Sequence, residues 1–419
     1  QAVRLMETIK HAFDPNNVLN PGVILNQDDR VHVKNLKPMP KAHSIIDQCI
    51  ECGFCESNCP SREYTLSPRQ RIVLFRDQQT SGDNWKYLGE DTCAADGMCA
   101  SKCPVSINTG TLVKQLRAQR SSQSSWKQWL ATQAINRFDL LSSLSSRAWT
   151  MHERFFKYLP LRLLPGFQYI NALNDMCGEE KEIQSNQEGQ RQVILVESCF
   201  NRALSPSRKD RNAMMKVLHR AGYQVIIPSD LPKMCCGLVF ESKGFPKQGN
   251  IQQEHFERTL LAASNEGRIP ILFDSSPCFG HTIGSSKLRN NIYEPFTFVS
   301  QHVLPYLPTP DKQHNKSMMV HLPCSTKQLA NFEQEALERI FVQHCGYKEV
   351  KLSGIPCCGM AGDRGVMFPR LNEAACQPAL RQAFNQDEER FQRMDDTIDC
   401  VSSSSTCELG LNKQLRAIG

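Results

Sequence analysis

A run of four closely spaced cysteines, followed directly by a proline, constrains this chain more than any other part of its sequence. The run consists of Cys49, Cys52, Cys55, Cys59 and Pro60. With this spacing a tight loop presents three thiolates to one iron-sulfur cubane, while the fourth cysteine reaches a second cluster. Zinc sites also use cysteine pairs, but they seldom need four cysteines in such a run before proline. The run therefore predicts an iron-sulfur binding loop.

A second run repeats this frame with one substitution. It consists of Cys93, Asp96, Cys99, Cys103 and Pro104, so an aspartate stands at the second cysteine position. Because the last cysteine of each run reaches the other cluster, cluster 1 is predicted to be held by Cys49, Cys52, Cys55 and Cys103. Cluster 2 is predicted to be held by Cys59, Cys93 and Cys99.

Asp96 leaves three interpretations of cluster 2 open. A carboxylate is a harder donor than a thiolate, so an iron bound by Asp96 would be the labile one. The site is then a 4Fe-4S cluster with an oxygen ligand, a 3Fe-4S cluster, or a three-cysteine site beside a non-ligating aspartate. In each case, two neighbouring clusters serve to pass single electrons.

Composition and hydropathy exclude several other classes of protein. No apolar stretch reaches the roughly 18 to 20 residues that cross a membrane, and no secretory signal opens the chain. We therefore expect a cytoplasmic protein, in which 19 cysteines among 419 residues are not a disulfide framework. The net charge of +6 is mild and includes no long basic run, so nucleic acid is not an expected partner.

The first two segments of the chain are predicted to be helical. Residues 1–26 begin with an amphipathic helix that is stopped at Asp14 and Pro15. Gln1 already lies within the helical pattern, so we expect a larger portion of the protein to precede it. Residues 44–118 hold both cysteine runs and form a small all-α ferredoxin-like unit.

Residues 119–190 are interpreted as a helical connector, rich in tryptophan, phenylalanine and arginine. In the simpler interpretation, this connector packs on the segment that follows it. In the alternative, its basic and aromatic surface makes a peripheral contact with the inner face of the cell membrane.

The remaining sequence repeats one pattern, in residues 191–310 (lobe 1) and residues 311–419 (lobe 2). In each lobe an apolar strand runs into a cysteine, and a Cys-Cys-Gly motif follows 36 residues later in lobe 1 and 33 residues later in lobe 2. Strands that alternate with longer helical stretches predict two α/β lobes with parallel sheets. The candidate metal ligands are Cys199, Cys235, Cys236 and Cys278 in lobe 1, and Cys324, Cys357, Cys358 and Cys407 in lobe 2.

Several other cysteines and histidines fit neither pattern. His321, just before Cys324, and His281 are interpreted as core histidines, although His321 is also placed to flank a cluster. The remaining cysteines are predicted to be small, buried apolar residues: Cys177, Cys345, Cys376 and Cys400.

These motifs together resemble a known family. The lobes are similar to the cysteine-rich CCG domains of heterodisulfide reductase and glycolate oxidase iron-sulfur subunits, and residues 49–103 resemble the helical ferredoxin unit that precedes such domains. The segment from His11 to Gly22 is similar to the end of the substrate-side domain in FAD-linked hydroxyacid oxidases. In one polypeptide, this combination resembles the bacterial FAD and iron-sulfur D-lactate dehydrogenases.

The resemblance implies an electron-transfer role. FAD, bound by the protein's own domain outside this chain, would take a hydride equivalent from a D-2-hydroxy acid, and the clusters would pass the electrons singly to a quinone or cytochrome. This chain then supplies no catalytic residue. The alternatives are a separate iron-sulfur subunit of a glycolate oxidase or disulfide-reductase complex, a D-2-hydroxyglutarate dehydrogenase, and a scaffold that binds structural zinc.

Both lobes depart from the full CCG pattern, which ends in Cys-x-x-Cys. Ser275 precedes Cys278, and Ser404 precedes Cys407, where the family has a cysteine. Each lobe therefore retains four potential ligands, which argues against the noncubane clusters of the heterodisulfide reductases. Two interpretations of each lobe stay open: an ordinary four-iron cluster, or cysteines that only pack. One occupied lobe is favoured over two.

Overall fold

The computed structural model describes residues 2–34, 39–77, 83–141, 144, 191–204, 209–284, 288, 291–308, 315–329, 332, 334–385 and 398–418. The predictions for Cys177 and for most of the connector, residues 145–190, lie outside these ranges. The chain divides into two compact units, Gln1–Ala42 and His43–Gly419.

The first unit contains the predicted amphipathic helix, α1 (Ala2–Phe13). The helix ends at Asp14, whose carboxylate accepts hydrogen bonds from the backbone N–H groups of Val18 at 2.8 Å and Leu19 at 2.9 Å. A short 3₁₀ turn follows at Val31–Val33. The apolar side chains of α1 are exposed, and Phe13 retains 83% of its accessible surface.

The second unit begins with the helical, cysteine-rich segment. Its helices are α2 (Pro68–Arg76), α3 (Asp83–Trp85), α4 (Thr109–Ser122) and α5 (Ser125–Asn136), with 3₁₀ turns at Phe54–Asn58 and Ala100–Lys102 and a π-helical turn at Lys86–Asp91. The start of α2 is fixed by Ser67 and Gln70, which form a capping box. A small core of Ile46, Ile72, Ile107 and Leu112 supports the cysteine loops.

Lobe 1 is built on a four-stranded sheet. Its strands are β1 (Arg191–Val196), β2 (Tyr223–Ile226), β3 (Ile271–Phe273) and β4 (Ile292–Tyr293), in the order β2-β1-β3-β4. Its helices are α6 (Cys199–Leu204), α7 (Lys209–Arg220), α8 (Leu238–Ser242), α9 (Pro246–Ala263), α10 (Ser276–Ile283) and α11 (Pro295–Phe298). Shorter turns lie at Leu231–Lys233, Val299–Val303 and Leu304–Tyr306.

Lobe 2 is built on a three-stranded sheet. Its strands are β5 (Ser317–His321), β6 (Glu349–Leu352) and β7 (Ile398–Ser402), in the order β6-β5-β7. Its helices are α12 (Cys324–Lys327), α13 (Glu335–Leu337), α14 (Arg364–Met367), α15 (Pro369–Asn385) and α16 (Ser405–Ile418), with a π-helical turn at Glu338–His344.

All strand pairs in the two sheets are parallel, which confirms the predicted parallel-sheet architecture. The central strand β1 is buried on both faces. Val193 and Leu195 pack into one core cluster, whereas Ile194 and Val196 pack into another. This burial explains why the sequence of β1 is a continuous apolar run and does not alternate between apolar and polar residues. Among the described residues, no helix is both long and apolar enough to cross a membrane.

Two of the predictions for isolated cysteines are wrong. Cys376 is buried as expected, at 0% exposure, but Cys345 and Cys400 are exposed. Cys345 follows the π-helical turn at Glu338–His344, at the surface, and Cys400 lies on the edge strand β7. An edge strand and a turn end leave their side chains open to solvent, so the apolar character of cysteine does not decide burial at these positions.

Candidate metal centres

The four predicted ligands of cluster 1 lie around one cavity. Cys49, Cys52, Cys55 and Cys103 line it, together with apolar residues that include Ile72 and Ile107. Cys52 is exposed, whereas the other three thiols are partly buried. The structure therefore brings the last cysteine of the second run to the first run, as the crossover arrangement requires.

The two cysteine loops have the same backbone conformation. In each loop the residues on both sides of the second ligand position adopt the left-handed region: Glu51, Gly53, Ala95 and Gly97. In each loop a backbone N–H also points at the first sulfur, from Glu51 to Cys49 and from Ala95 to Cys93, both at 3.4 Å. Asp96 therefore occupies the loop position that Cys52 occupies in the first run.

The three predicted cysteines of cluster 2 lie beside a buried arginine. Arg71 is 2% exposed and donates hydrogen bonds to Ser61 Oγ at 2.8 Å and to the Gly89 carbonyl at 3.0 Å. Its guanidinium also lies 3.9 Å from Cys59 Sγ. Burial opposes the charge of Arg71, but the Cys93 and Cys59 thiolates outweigh it and raise the arginine's pKa. A fixed cation thus faces the site of cluster 2.

Arg71→Gln is expected to lower the reduction potential of cluster 2 by roughly 50 to 150 mV. The cation stabilises the more negative, reduced cluster, and a unit charge near 4 Å contributes about 1 to 4 kcal/mol between bulk water and a protein surface. An EPR-monitored redox titration measures the shift. Arg120→Gln is the control, because the Arg120 side chain is 45% exposed and pairs with Glu90. Equal potentials in the two variants would show that Arg71 has no such role.

Two further arginines position the cysteine loops, and the sequence analysis did not identify them. Arg76 donates to the Cys49 carbonyl at 2.9 Å, and Arg117 donates to the Cys93 carbonyl at 2.8 Å. Both side chains are buried. In the sequence, each arginine lies in the helix that follows its cysteine loop. Spacing along the chain alone does not show that the arginine side chain donates to the loop carbonyl.

In lobe 1 the structure brings all four candidate ligands together. Cys199 follows β1, the Cys235-Cys236 pair follows β2, and Cys278 follows β3, so all four lie at the carboxyl ends of parallel strands, where α/β sheets bind their ligands. A hydrogen bond from Cys235, opposed by burial and assisted by Arg202, lowers the pKa of Cys199 to about 7. The hydrogen bond with Cys236, together with burial, raises the pKa of Cys278.

Lobe 2 repeats this arrangement at the ends of β5, β6 and β7. Cys358 Sγ lies 3.2 Å from Cys407 Sγ, and Cys324 is hydrogen bonded to Cys357. That hydrogen bond and burial raise the pKa of Cys324. Every cysteine that the structure describes is a free thiol. Each lobe therefore holds four convergent sulfur donors, a set that fits an iron-sulfur cluster.

The glycine of each Cys-Cys-Gly motif lies in the left-handed region against a helix backbone. Gly237 has φ +89°, and a Cβ there would lie 2.4 Å from the Gly249 carbonyl oxygen. Gly359 has φ +72°, and a Cβ there would lie 2.6 Å from the Leu371 carbonyl oxygen. Only glycine lets the cysteine pair turn this close to the following helix.

A cation three residues after the first cysteine supports each lobe. Arg202 donates to the carbonyls of Leu231 and, at 2.6 Å, Met234, the residue before the cysteine pair. Lys327 donates to the carbonyls of Ile355 and, at 3.0 Å, Pro356, which again precedes the pair. The sequence analysis missed these residues. The repeated Cys-x-x-Arg and Cys-x-x-Lys spacing is the signal that could have identified them.

The structure places the two candidate histidines differently. His281, in lobe 1, lies 3.6 Å from Glu241, and burial lowers its pKa. His321, in lobe 2, is 2% exposed, and a ring nitrogen lies within 4.8 Å of the sulfurs of Cys358 and Cys407. Burial, with a smaller effect of Lys327, lowers the pKa of His321 to about 3, so this imidazole is neutral at physiological pH.

Asp96 lies at the boundary between the ferredoxin-like unit and lobe 2. One carboxylate oxygen lies within 4.8 Å of the sulfurs of Cys324 and Cys357. Burial raises the pKa of Asp96, although the neighbouring Cys357 thiol partly lowers it. Asp96, the candidate oxygen ligand of cluster 2, thus lies close to the sulfur donors of lobe 2.

The ferredoxin-like unit contacts both lobes. Toward lobe 1, Lys114 pairs with Glu241 at 2.9 Å, and Arg117 donates to the Ser242 carbonyl at 3.1 Å. Toward lobe 2, Arg364 donates to the Asp91 carbonyl at 2.8 Å. This contact ties lobe 2 to the segment that precedes the loop of cluster 2.

Comparisons with known proteins match three segments of this chain. Residues 45–107 match the 4Fe-4S dicluster domain, residues 193–282 match the cysteine-rich domain, and residues 1–24 match the C-terminal domain of FAD linked oxidases. The glycolate oxidase iron-sulfur subunit of Escherichia coli (strain K12) is 21% identical over 365 residues, which cover 79% of this chain and 83% of that protein. No solved structure matches the chain.

The matched segments follow one another in the order expected from the cysteine patterns. The 4Fe-4S match contains both cysteine runs, and the cysteine-rich match contains all four candidate ligands of lobe 1. The chain therefore carries a 4Fe-4S dicluster domain and a cysteine-rich domain, and it is an iron-sulfur, electron-transfer protein of the oxidoreductase type.

Proposed function

We propose that this chain is the iron-sulfur electron-transfer portion of an FAD-dependent D-2-hydroxyacid dehydrogenase, with D-lactate as the substrate. The observation that carries the proposal is the order of the matches within one polypeptide. A segment like the end of an FAD-linked oxidase precedes the dicluster domain, which precedes the cysteine-rich lobe. This order supports an electron path in which a flavin passes electrons to cluster 1.

The exposed apolar face of α1 supports the link to a flavin domain. Val3, Leu5, Ile9 and Phe13 each retain half or more of their accessible surface. A helix with apolar residues at this spacing usually packs that face on a neighbouring element. The remainder of an FAD-linked oxidase domain would supply this neighbour.

In this function the chain's own residues hold and tune the clusters. When bound, the clusters supply one-electron transfer between the flavin and a quinone or cytochrome. Cys49, Cys52, Cys55 and Cys103 would hold cluster 1, and Cys59, Cys93 and Cys99 would hold cluster 2. Arg71 supplies a positive charge at cluster 2, and Arg76 and Arg117 fix the loop carbonyls, so the thiols stay in position when the charge changes.

A second candidate is a separate iron-sulfur subunit of a glycolate oxidase type complex. The similarity to the Escherichia coli glycolate oxidase iron-sulfur subunit, along most of both chains, favours it. D-2-hydroxyglutarate is a third candidate substrate.

The proposal predicts that D-lactate reduces the clusters of the native protein. The complex that contains this chain would be purified anaerobically with its flavin, and visible bleaching and EPR would be recorded after D-lactate, L-lactate, glycolate or D-2-hydroxyglutarate is added. D-lactate is expected to bleach the clusters, and L-lactate is the stereochemical control. Bleaching by glycolate or D-2-hydroxyglutarate alone would contradict the D-lactate assignment, and no bleaching by any of the four acids would contradict the flavin link.

A further inference from the structure

The centre of lobe 2 is surrounded by two groups of potential metal donors. In the first group, donor atoms of Asp96, Cys324 and Cys357 all lie within 4.8 Å of one another. In the second group, donor atoms of His321, Cys358 and Cys407 do the same. Cys357 and Cys358 are adjacent in sequence, so the two groups form one continuous set of six donors.

His321 is arranged as an oriented ligand. Its Nδ1 shares a hydrogen bond with Ser353 Oγ at 3.0 Å, whereas its Nε2 is buried and has no hydrogen-bond partner among the described residues. A buried polar atom without a partner destabilises the folded protein. Metal-binding histidines characteristically use one ring nitrogen for an orienting hydrogen bond and the other for the metal. The unpaired Nε2 is therefore available to bind a metal in lobe 2.

Asp96 reaches the same centre from the ferredoxin-like unit. Its Oδ1 accepts a hydrogen bond from the Met98 backbone N–H at 3.2 Å, its Oδ2 is buried, and the carboxylate is hydrogen bonded to the Cys357 thiol. Gln328 fixes the loop against lobe 2, because its side-chain amide donates to the Asp96 carbonyl at 2.5 Å and the Cys324 carbonyl at 3.2 Å. The carboxylate is therefore held at the lobe 2 sulfurs.

Lobe 1 provides an internal comparison. His321 lies three residues before Cys324, and the residue three positions before Cys199 is Val196, a buried aliphatic side chain of β1. The donors assembled in lobe 1 are therefore four thiols, without an imidazole at this position. The two lobes share a fold pattern but differ in ligand chemistry.

We propose that lobe 2 binds an iron-sulfur centre with mixed ligands, in which His321 Nε2 and the Asp96 carboxylate join the four cysteines of the lobe. The choice of iron as the metal rests on the proposed electron-transfer function. Lobe 2 then lies next to cluster 2 in the electron path, because the loop of cluster 2 carries Asp96.

Isotope labelling tests the histidine ligand without a substitution. The full chain would be loaded anaerobically with iron and sulfide, poised so that the lobe 2 centre is paramagnetic, and studied by pulsed EPR. A strongly coupled ¹⁴N signal is expected, and it should change to the ¹⁵N pattern when the chain is grown with ¹⁵N-histidine. An iron signal from lobe 2 without this nitrogen coupling would overturn the assignment of His321.

Variants locate the signal. His321→Gln is expected to abolish the strong nitrogen coupling because it removes the nitrogen ligand. Cys357→Ser/Cys358→Ser is expected to abolish it because it removes the centre itself. His281→Gln is the matched control, since His281 is a partly buried histidine three residues after a lobe 1 cysteine. Loss of the coupling in His281→Gln, with retention in His321→Gln, would contradict the proposal.

Combined variants show whether Asp96 binds the lobe 2 centre or cluster 2. Asp96→Asn is expected to change the EPR signal of lobe 2 and to lower its iron content. In the Cys357→Ser/Cys358→Ser background, the same substitution should leave the cluster 2 signal unchanged. A changed cluster 2 signal in that background would assign Asp96 to cluster 2 and overturn its role in lobe 2.

The outcomes also distinguish this inference from the proposed function. Iron in the ferredoxin-like unit, with no metal or only zinc in lobe 2, would contradict the mixed-ligand centre and leave the electron-transfer function standing. No iron anywhere in an anaerobically loaded chain would contradict both.

Discussion

Cys52→Ser is expected to remove cluster 1, about four irons per chain, and to stop electron transfer from the flavin to the acceptor. Cys52 lines the cavity shared by the predicted ligands of cluster 1, and it is the exposed member of that set. Its replacement should therefore disturb the cluster more than the protein core. Iron content, EPR and acceptor reduction by the flavin-containing complex measure the effect.

Cys345→Ser is the matched control for this experiment. Cys345 is also exposed, and it belongs to none of the predicted ligand sets. The control should keep full iron content and normal acceptor reduction, whereas in Cys52→Ser the flavin should still be reduced by substrate. Normal acceptor turnover in Cys52→Ser would show that cluster 1 is not on the electron path.

Gly359→Ala is expected to destabilise lobe 2 by roughly 2 to 5 kcal/mol and to deplete its metal centre. About 1 to 2 kcal/mol comes from placing a Cβ in the left-handed region. The rest comes from crowding, because the Cβ would lie 2.6 Å from the Leu371 carbonyl oxygen and α15 would have to move. Urea unfolding and iron analysis measure the two effects.

Gly354→Ala separates strain from crowding. Gly354 has φ +68°, close to the φ of Gly359, but a Cβ there would have no neighbour within 4 Å. This control should lose only the strain contribution and keep its metal. Equal free energies of unfolding in the two variants would show that α15 does not crowd a Cβ at position 359.

The convergence of the cluster 1 cysteines could be predicted from sequence, because three of the four lie in one short run. Short spacings place Cys49, Cys52 and Cys55 in one tight loop, and the structure places Cys103 at the same cavity. The parallel sheets of the lobes were also predictable, since apolar strands alternate with longer helical segments. The ends of parallel strands then bring distant cysteines of one lobe together without further information.

The interactions that the sequence did not predict depend on packing between segments. Asp96 reaches lobe 2 only because Gln328, 232 residues further along the chain, holds its loop there. Arg202 and Lys327 donate hydrogen bonds to backbone carbonyls. Every residue has a backbone carbonyl, so the sequence does not show which ones these side chains contact. Cys345 and Cys400 are exposed because of where a turn and an edge strand lie, and local composition does not determine either position.

An anaerobic count of iron and acid-labile sulfide on this chain, combined with EPR, tests the central claim most directly. Two cubane-type clusters in the ferredoxin-like unit account for about eight irons. The account predicts more than this, with at least one additional EPR signal from lobe 2 that is lost in Cys357→Ser/Cys358→Ser. A colourless chain that contains zinc or no metal after anaerobic preparation would contradict the account.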